Sequence, residues 1–169
     1  TRSGIIDVIR AMNGKITLVN ERYFGGEPVA DLHIQYTKDL VATTIEGDMI
    51  PRLIDEIPIL ALLATRAKGI TVIKDAEELK VKETNRIDVT VNQLKAIGAE
   101  IKSTDDGMII TGQPEGSFNQ ASVSSHKDHR IAMMLCVASL LIDEPLIIED
   151  VESMEISYPD FLKHLNVLL

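Results

Sequence analysis

The sequence predicts an α/β protein, and two observations carry that prediction. Stretches with apolar residues at helical spacing take turns along the chain with short alternating or β-branched runs. A strand-and-helix block also recurs, ITVIKD at Ile70–Asp75 being answered by LIIED at Leu146–Asp150. With 169 residues, 45% of them hydrophobic and 25% charged, the chain is long and apolar enough to bury a core.

Ile5, Ile6, Ile9 and Met12 mark a first helix, which Asn13-Gly14 stops. Lys15–Asn20 alternates as a strand, and Ala30–Tyr36 alternates again after the Gly25-Gly26 turn. Val41–Ile45 is a short β-branched run. A helix apolar on nearly every side is expected from Asp55 to Ala67, ended by Lys68-Gly69, with strand Ile70–Ile73 behind it. Thr84–Ile97 places Ile87, Val91 and Leu94 on one helix face, and Gly98 stops it. Two strands around Asp105-Asp106-Gly107 predict a hairpin. The chain closes with strand Ala121–Ser124, helix His129–Ile142, strand Leu146–Glu149 and helix Pro159–Leu168.

The recurrence has a fixed offset. Asp75 falls on Asp150 and Asp55 on Arg130, 75 residues apart in both pairs (150 − 75 and 130 − 55). Superposing Gly14 on Gly98 brings a third, partial copy into line and sets Arg2 on Arg86. About two and a half copies of one α/β unit are therefore expected, the first of them cut. With Thr1 in place of an initiator Met, this predicts that the chain is part of something longer.

Charge and composition exclude several classes. Seventeen Lys+Arg against 26 Asp+Glu leave a net charge of -9, which argues against nucleic acid or an anionic membrane surface as partner. The single cysteine, Cys136, lies in the apolar run MMLCVASLL, so no internal disulfide or cysteine metal cluster can form, and a buried thiol is expected. The longest mainly apolar stretch, Ile131–Ile142, is too short to span a bilayer, and no signal peptide opens the sequence. A cytoplasmic protein is the expectation.

The cations sit where helix stability alone would not put them. Arg86 opens one helix, His129 and Arg130 open another, and Arg52 precedes a third. A positive side chain at a helix N-terminus opposes the macrodipole by about 0.3–1 kcal/mol when exposed, whereas the free backbone N–H groups there attract anions. An anion site is one reading. The other makes Asp55 and Asp128 plain N-caps, each paired with a neighbouring arginine. In KVKETNRI, Lys82, Glu83 and Arg86 can share one side of a helix start, or form only a solvated ladder capped by Thr84.

Taken together, TRSGIIDVI, the run IPRLIDEIPILALLATRAKGITVIKDAEELKVKETNRI, GAEI with DDGMII, KDHRIAMM and ISYPDF resemble the C-terminal part of the 5-enolpyruvylshikimate-3-phosphate (EPSP) synthase family. The resemblance runs along the whole chain, and KETNR with DHRIAM at this spacing is its most specific part. It implies two domains of three βαβαββ units each, with the active site in the cleft between them. Residues 1–169 would be most of the domain that holds the C-terminus, without the second domain and the short N-terminal segment.

The resemblance also implies the reaction: transfer of the enolpyruvyl group of phosphoenolpyruvate to the 5-hydroxyl of shikimate 3-phosphate, with release of phosphate. Asp55 matches the aspartate that contacts the shikimate hydroxyls and accepts a proton. Glu83 matches the glutamate of proton transfer at the methylene carbon, and Lys82 the lysine on the shikimate phosphate. Arg86 and Arg130 match two arginines that hold phosphoenolpyruvate, with His129 beside them. No metal or organic cofactor is implied, and the full-length protein is expected to be a monomer.

Two positions depart from the family pattern. Ile156 stands where many members carry a lysine, and Glu78 where some carry an asparagine that touches the substrate phosphate. Neither contact is carried over. Two rivals remain: an enzyme like UDP-N-acetylglucosamine enolpyruvyl transferase, and a non-catalytic anion-binding module. Against the module stand Asp55 and Glu83, since carboxylates beside cations weaken anion binding.

Overall fold

The computed structural model describes residues 2–168. Helix α1 (Gly4–Ala11) leads into the hairpin β1 (Lys15–Phe24) and β2 (Glu27–Gln35). Strand β3 (Thr44–Ile45) precedes α2 (Ile57–Ala64) and β4 (Ile70–Ile73). Then come α3 (Arg86–Ala96), β5 (Glu100–Ser103), β6 (Met108–Thr111), β7 (Ser122–Ser124), α4 (His129–Ala138), β8 (Ile147–Glu149) and α5 (Phe161–Val167).

One βαβαββ unit is complete, from β3 to β6. Its strands lie in the order β3-β4-β6-β5, with β3 parallel to β4 and both other pairs antiparallel. In front of it, α1–β1–β2 supplies the second half of a unit. Behind it, β7–α4–β8–α5 supplies the first four elements of another, with β7 parallel to β8. The copies agree in detail: Asp75 after β4 and Asp150 after β8 are both left-handed, at φ 58° and 59°, and each is followed by a 3-10 helix. For the first copy the structural equivalence pairs left-handed Asn13 with left-handed Gly98 and Lys15 with Glu100. That is one residue away from superposing Gly14 on Gly98.

Helix α2 explains why these layers cohere. Its sequence IPILALLA is apolar on every side, and six of its eight residues are buried, as a helix enclosed by others requires. Ile57, Leu60 and Ala61 join Ile87 and Leu94 of α3, Ile131 and Leu135 of α4, and Ile73, Met108 and Ile110 of the sheet in one core. A satellite cluster of Ala132, Cys136 and Met154 forms under α5. The Cys136 thiol is buried, and burial pushes its pKa up.

Several boundaries differ from expectation. The helix expected from Asp55 starts only at Ile57, because Pro58 lacks an N–H and suits the first turn of a helix. Asp55 itself lies in the 3-10 turn Ile54–Glu56 and caps nothing. The helix expected to reach Ile142 ends at Ala138 and passes into the 3-10 turn Ser139–Leu141. Strand β1 runs on to Phe24, whereas the Val41–Ile45 run narrows to a bridge from Val41 to Lys68 and the two residues of β3. Among the described residues no helix is long and apolar enough to cross a membrane.

Candidate functional site

The N-termini of α3 and α4 and the 3-10 turn before α2 converge on one guanidinium. Asn85 caps α3, its side chain accepting from the Asp88 N–H at 3.3 Å. Arg86 follows as the first helical residue and is 1% exposed. Its Nε donates to Asp128 Oδ2 at 2.8 Å and its Nη2 to Asp128 Oδ1 at 3.3 Å. Nη1 donates to Asp55 Oδ1 at 3.0 Å, and Nη2 also donates to Glu83 Oε2 at 2.6 Å. A buried cation beside a helix N-terminus is costly twice over, through desolvation and the dipole. Three carboxylates offset that cost here.

Asp128 has two tasks. As N-cap of α4 it accepts from the Arg130 N–H at 2.9 Å, and it also accepts from Thr84 Oγ1 at 3.1 Å. Burial pushes its carboxyl up, but the Arg86 guanidinium more than reverses this and holds it below the usual range. Asp55 behaves likewise. Partial burial raises it, while the hydrogen bond from Arg2, the charge of Arg130 and the bond from Arg86 bring it below the ordinary carboxylate value. Burial would lower the pKa of Arg86, yet Asp128 first and its other carboxylate partners keep it raised.

Around this closed centre lie groups that solvent reaches. Glu83 has a half-exposed side chain, and His129 Nδ1 stands 3.8 Å from its Oε1. Arg130 is held more loosely than Arg86. Its Nη1 lies 3.5 Å from Glu56 Oε1 and its Nη2 4.0 Å from Asp55 Oδ2, with 34% of the side chain exposed. A carboxyl group, an imidazole and an accessible guanidinium on one surface can bind an anion and move protons next to it.

A family model described as "EPSP synthase (3-phosphoshikimate 1-carboxyvinyltransferase)" matches residues 1–165. The chain belongs to the EPSP synthase family. Relatives named 3-phosphoshikimate 1-carboxyvinyltransferase from Bacillus subtilis (strain 168) and Staphylococcus epidermidis (strain ATCC 35984) are 55% and 51% identical over 168 residues, 99% of this chain. The chain spans 39% and 38% of their lengths. The solved EPSP synthase of Acinetobacter baumannii superposes with a TM-score of 0.93 at 38% identity, covering 98% of this chain and 38% of that one. The enolpyruvyl transferase NikO of Streptomyces tendae, 20% identical with a TM-score of 0.69 over 99% of this chain and 35% of its own, shares the fold.

Within this chain of the EPSP synthase family, five of the six residues singled out from the sequence come together: Asp55, Glu83, Arg86, His129 and Arg130. Lys82 does not join them through any ion pair among the described residues, and its partner is Glu78, one helical turn earlier. The acidic residue at the departed position thus neutralises the lysine. Arg52, the remaining helix-start cation, donates to Ser3 Oγ at 3.1 Å and Asp7 Oδ2 at 2.8 Å and so fastens α1. The N-cap reading holds for Asp128 and fails for Asp55, which precedes the helix start and faces arginines instead. Glu56 escaped notice in the sequence, and Arg2 was visible only as the superposed counterpart of Arg86.

Proposed function

We propose that this chain forms one wall of the active site of a 3-phosphoshikimate 1-carboxyvinyltransferase, which moves the enolpyruvyl group of phosphoenolpyruvate to the 5-hydroxyl of shikimate 3-phosphate and releases phosphate. The observation that carries the reading is the convergence of Asp55, Glu83, His129 and Arg130 on buried Arg86 in a chain of the EPSP synthase family.

In the addition step the 5-hydroxyl oxygen bonds to C2 of phosphoenolpyruvate, its proton passing to Asp55. Cations hold the carboxyl of Asp55 low, so this transfer becomes favourable only as the new C–O bond makes the hydroxyl acidic. Glu83 gives a proton to the methylene carbon, which becomes a methyl group. In the elimination step Glu83 takes a methyl proton back, the double bond re-forms as the C–O bond to phosphate breaks, and the leaving phosphate takes the proton held by Asp55. Arg130, with part of its side chain in solvent, binds the carboxylate or phosphate of phosphoenolpyruvate, Arg86 joins it by turning an Nη group away from Asp55 or Glu83, and Lys82 leaves Glu78 to meet the phosphate of shikimate 3-phosphate. His129 sits beside Glu83 to assist its proton exchange.

Residues 1–169 would be most of one domain of a monomeric, cytoplasmic enzyme whose second domain supplies the facing wall. Without that wall the proximity and water exclusion the reaction needs are absent. A coupled phosphate-release assay with both substrates tests the reading. The complete enzyme should turn over and lose activity with Asp55→Asn, while residues 1–169 alone should show none. Turnover by residues 1–169 alone, indifferent to Asp55→Asn, would overturn it.

A further inference from the structure

Arg86 and Arg130 differ in how their donors are used. Every nitrogen of Arg86 donates to a carboxylate, at 2.6 to 3.3 Å. Arg130 has no contact shorter than 3.5 Å to either neighbouring carboxylate. Its Nε is closed to solvent with no hydrogen-bond partner, and so is Oε2 of Glu56, its nearer neighbour. The two side chains therefore compensate each other's charge through one long hydrogen bond, Arg130 Nη1 donating to Glu56 Oε1 at 3.5 Å, and leave Nε and Oε2 unsatisfied. Behind them a mainly apolar cavity of about 180 Å³, lined by Ile59, Met133, Met134 and Val137 among others, offers neither group another polar partner.

We propose that Glu56 is a specificity-determining positioning residue: a counter-ion that competes with the anionic substrate for Arg130 and sets the affinity of this wall for phosphoenolpyruvate. The inference rests on the reading of Arg130 as an anion contact. In the resting site Glu56 keeps the guanidinium from drifting or recruiting a stray anion, at long range and with poor geometry. An incoming carboxylate or phosphate offers shorter, charge-assisted bonds and draws Arg130 away. Glu56 is then left partly buried with its charge less compensated, and that cost is subtracted from substrate affinity. Asp55 cannot take this part, because its carboxylate is already tied to Arg86 and Arg2.

The test uses the complete enzyme. Glu56→Gln keeps the shape and removes the charge, and should lower the KM for phosphoenolpyruvate by about 2- to 5-fold, the range of a modest ion-pair contribution. It should tighten competitive inhibition by inorganic phosphate by a similar factor and move the KM for shikimate 3-phosphate less than twofold. Glu56→Ala, which also removes the charge, should shift the first two in the same direction and serves if the amide variant folds poorly. In an Arg130→Ala background neither substitution should have this effect, because there is no guanidinium left to release. A phosphoenolpyruvate KM that stays level or rises in both Glu56 variants overturns the proposal, as does a fall that persists without Arg130. If Arg130→Ala by itself leaves that KM unchanged, the fault lies with Arg130 as an anion contact.

Discussion

Arg86 and Asp128 grip each other through two contacts, at 2.8 and 3.3 Å, with 2% and 0% of their side chains exposed. Each also marks a helix start, Arg86 as the first residue of α3 and Asp128 as the cap of α4. The pair therefore locks two helix N-termini together. It lends the surface around it a rigid floor, on which Glu83, His129 and Arg130 stand.

Asp128→Asn should be strongly destabilising. The amide fills the same space and can still cap α4, but it leaves Arg86 buried with one counter-charge fewer. Breaking one partner of a buried pair costs about 3–5 kcal/mol, well above the ~1 kcal/mol of a lost cap. Urea unfolding of the chain measures it. A loss well under 1 kcal/mol would reduce Asp128 to a capping residue, since the amide keeps the cap.

The two aspartates that face Arg86 set a pH dependence. Asp55 and Asp128 both titrate below the usual aspartate value in the folded chain, so the unfolded chain binds protons more readily as pH falls toward about 4. Their contribution is fully present above that pH and is lost below it, as the folded carboxylates finally protonate. Melting temperature should therefore hold level with respect to these groups from pH 8 to 5 and drop below about pH 4. In Asp128→Asn the acid limb should be shallower. An acid limb of unchanged steepness would place the linkage in other carboxylates.

What could be read from sequence follows from range. The core face of α3 and the strand Ile70–Ile73 rest on local periodicity, and the structure matches them closely. The Lys82–Glu78 pair was within reach too, since i,i+4 spacing brings such side chains together. The burial of Arg86 was not. Its partners Asp128 and Asp55 lie 42 and 31 positions away, and no local pattern tells a solvated arginine at a helix start from one closed in by distant carboxylates. Asp55 illustrates the reverse error. It looks like a cap because it precedes an apolar helix, but Pro58 moves the helix start past it and frees its carboxylate for arginines.

The two arginines should separate in mutagenesis. Arg130→Ala removes a partly exposed cation and should raise the phosphoenolpyruvate KM about 10- to 100-fold, as loss of a charge-assisted contact of about 1.5–3 kcal/mol does, with little change in melting temperature. Arg86→Ala leaves Asp128 buried and unpaired, so it should lower the melting temperature by many degrees as well as raising KM. Steady-state kinetics of the complete enzyme beside thermal melts decide this. Equal thermal losses for the two variants would contradict the difference in burial.

Glu83 offers the sharpest division between structure and chemistry. Its carboxylate donates nothing and accepts from Arg86 Nη2 at 2.6 Å, while half of its side chain faces solvent. If that bond were its whole purpose, Glu83→Gln would keep a carbonyl for Arg86 to bond and cost about 1 kcal/mol or less, in keeping with a half-exposed ion pair. Turnover would be nearly normal. If Glu83 instead protonates and deprotonates the methylene carbon, the amide preserves shape and hydrogen bonding but cannot carry the proton. A fall in kcat of roughly 10²–10⁴ is then expected, with both substrates still bound. The expected result is the large fall, because Glu83 is exposed on the site side, has His129 Nδ1 3.8 Å away, and is anchored at one oxygen only. The measurement is kcat of the complete Glu83→Gln enzyme with its melting temperature alongside. A kcat within a few-fold of the parent, at equal stability, would assign Glu83 to the support of Arg86 and move the proton chemistry to Asp55 or to the facing domain.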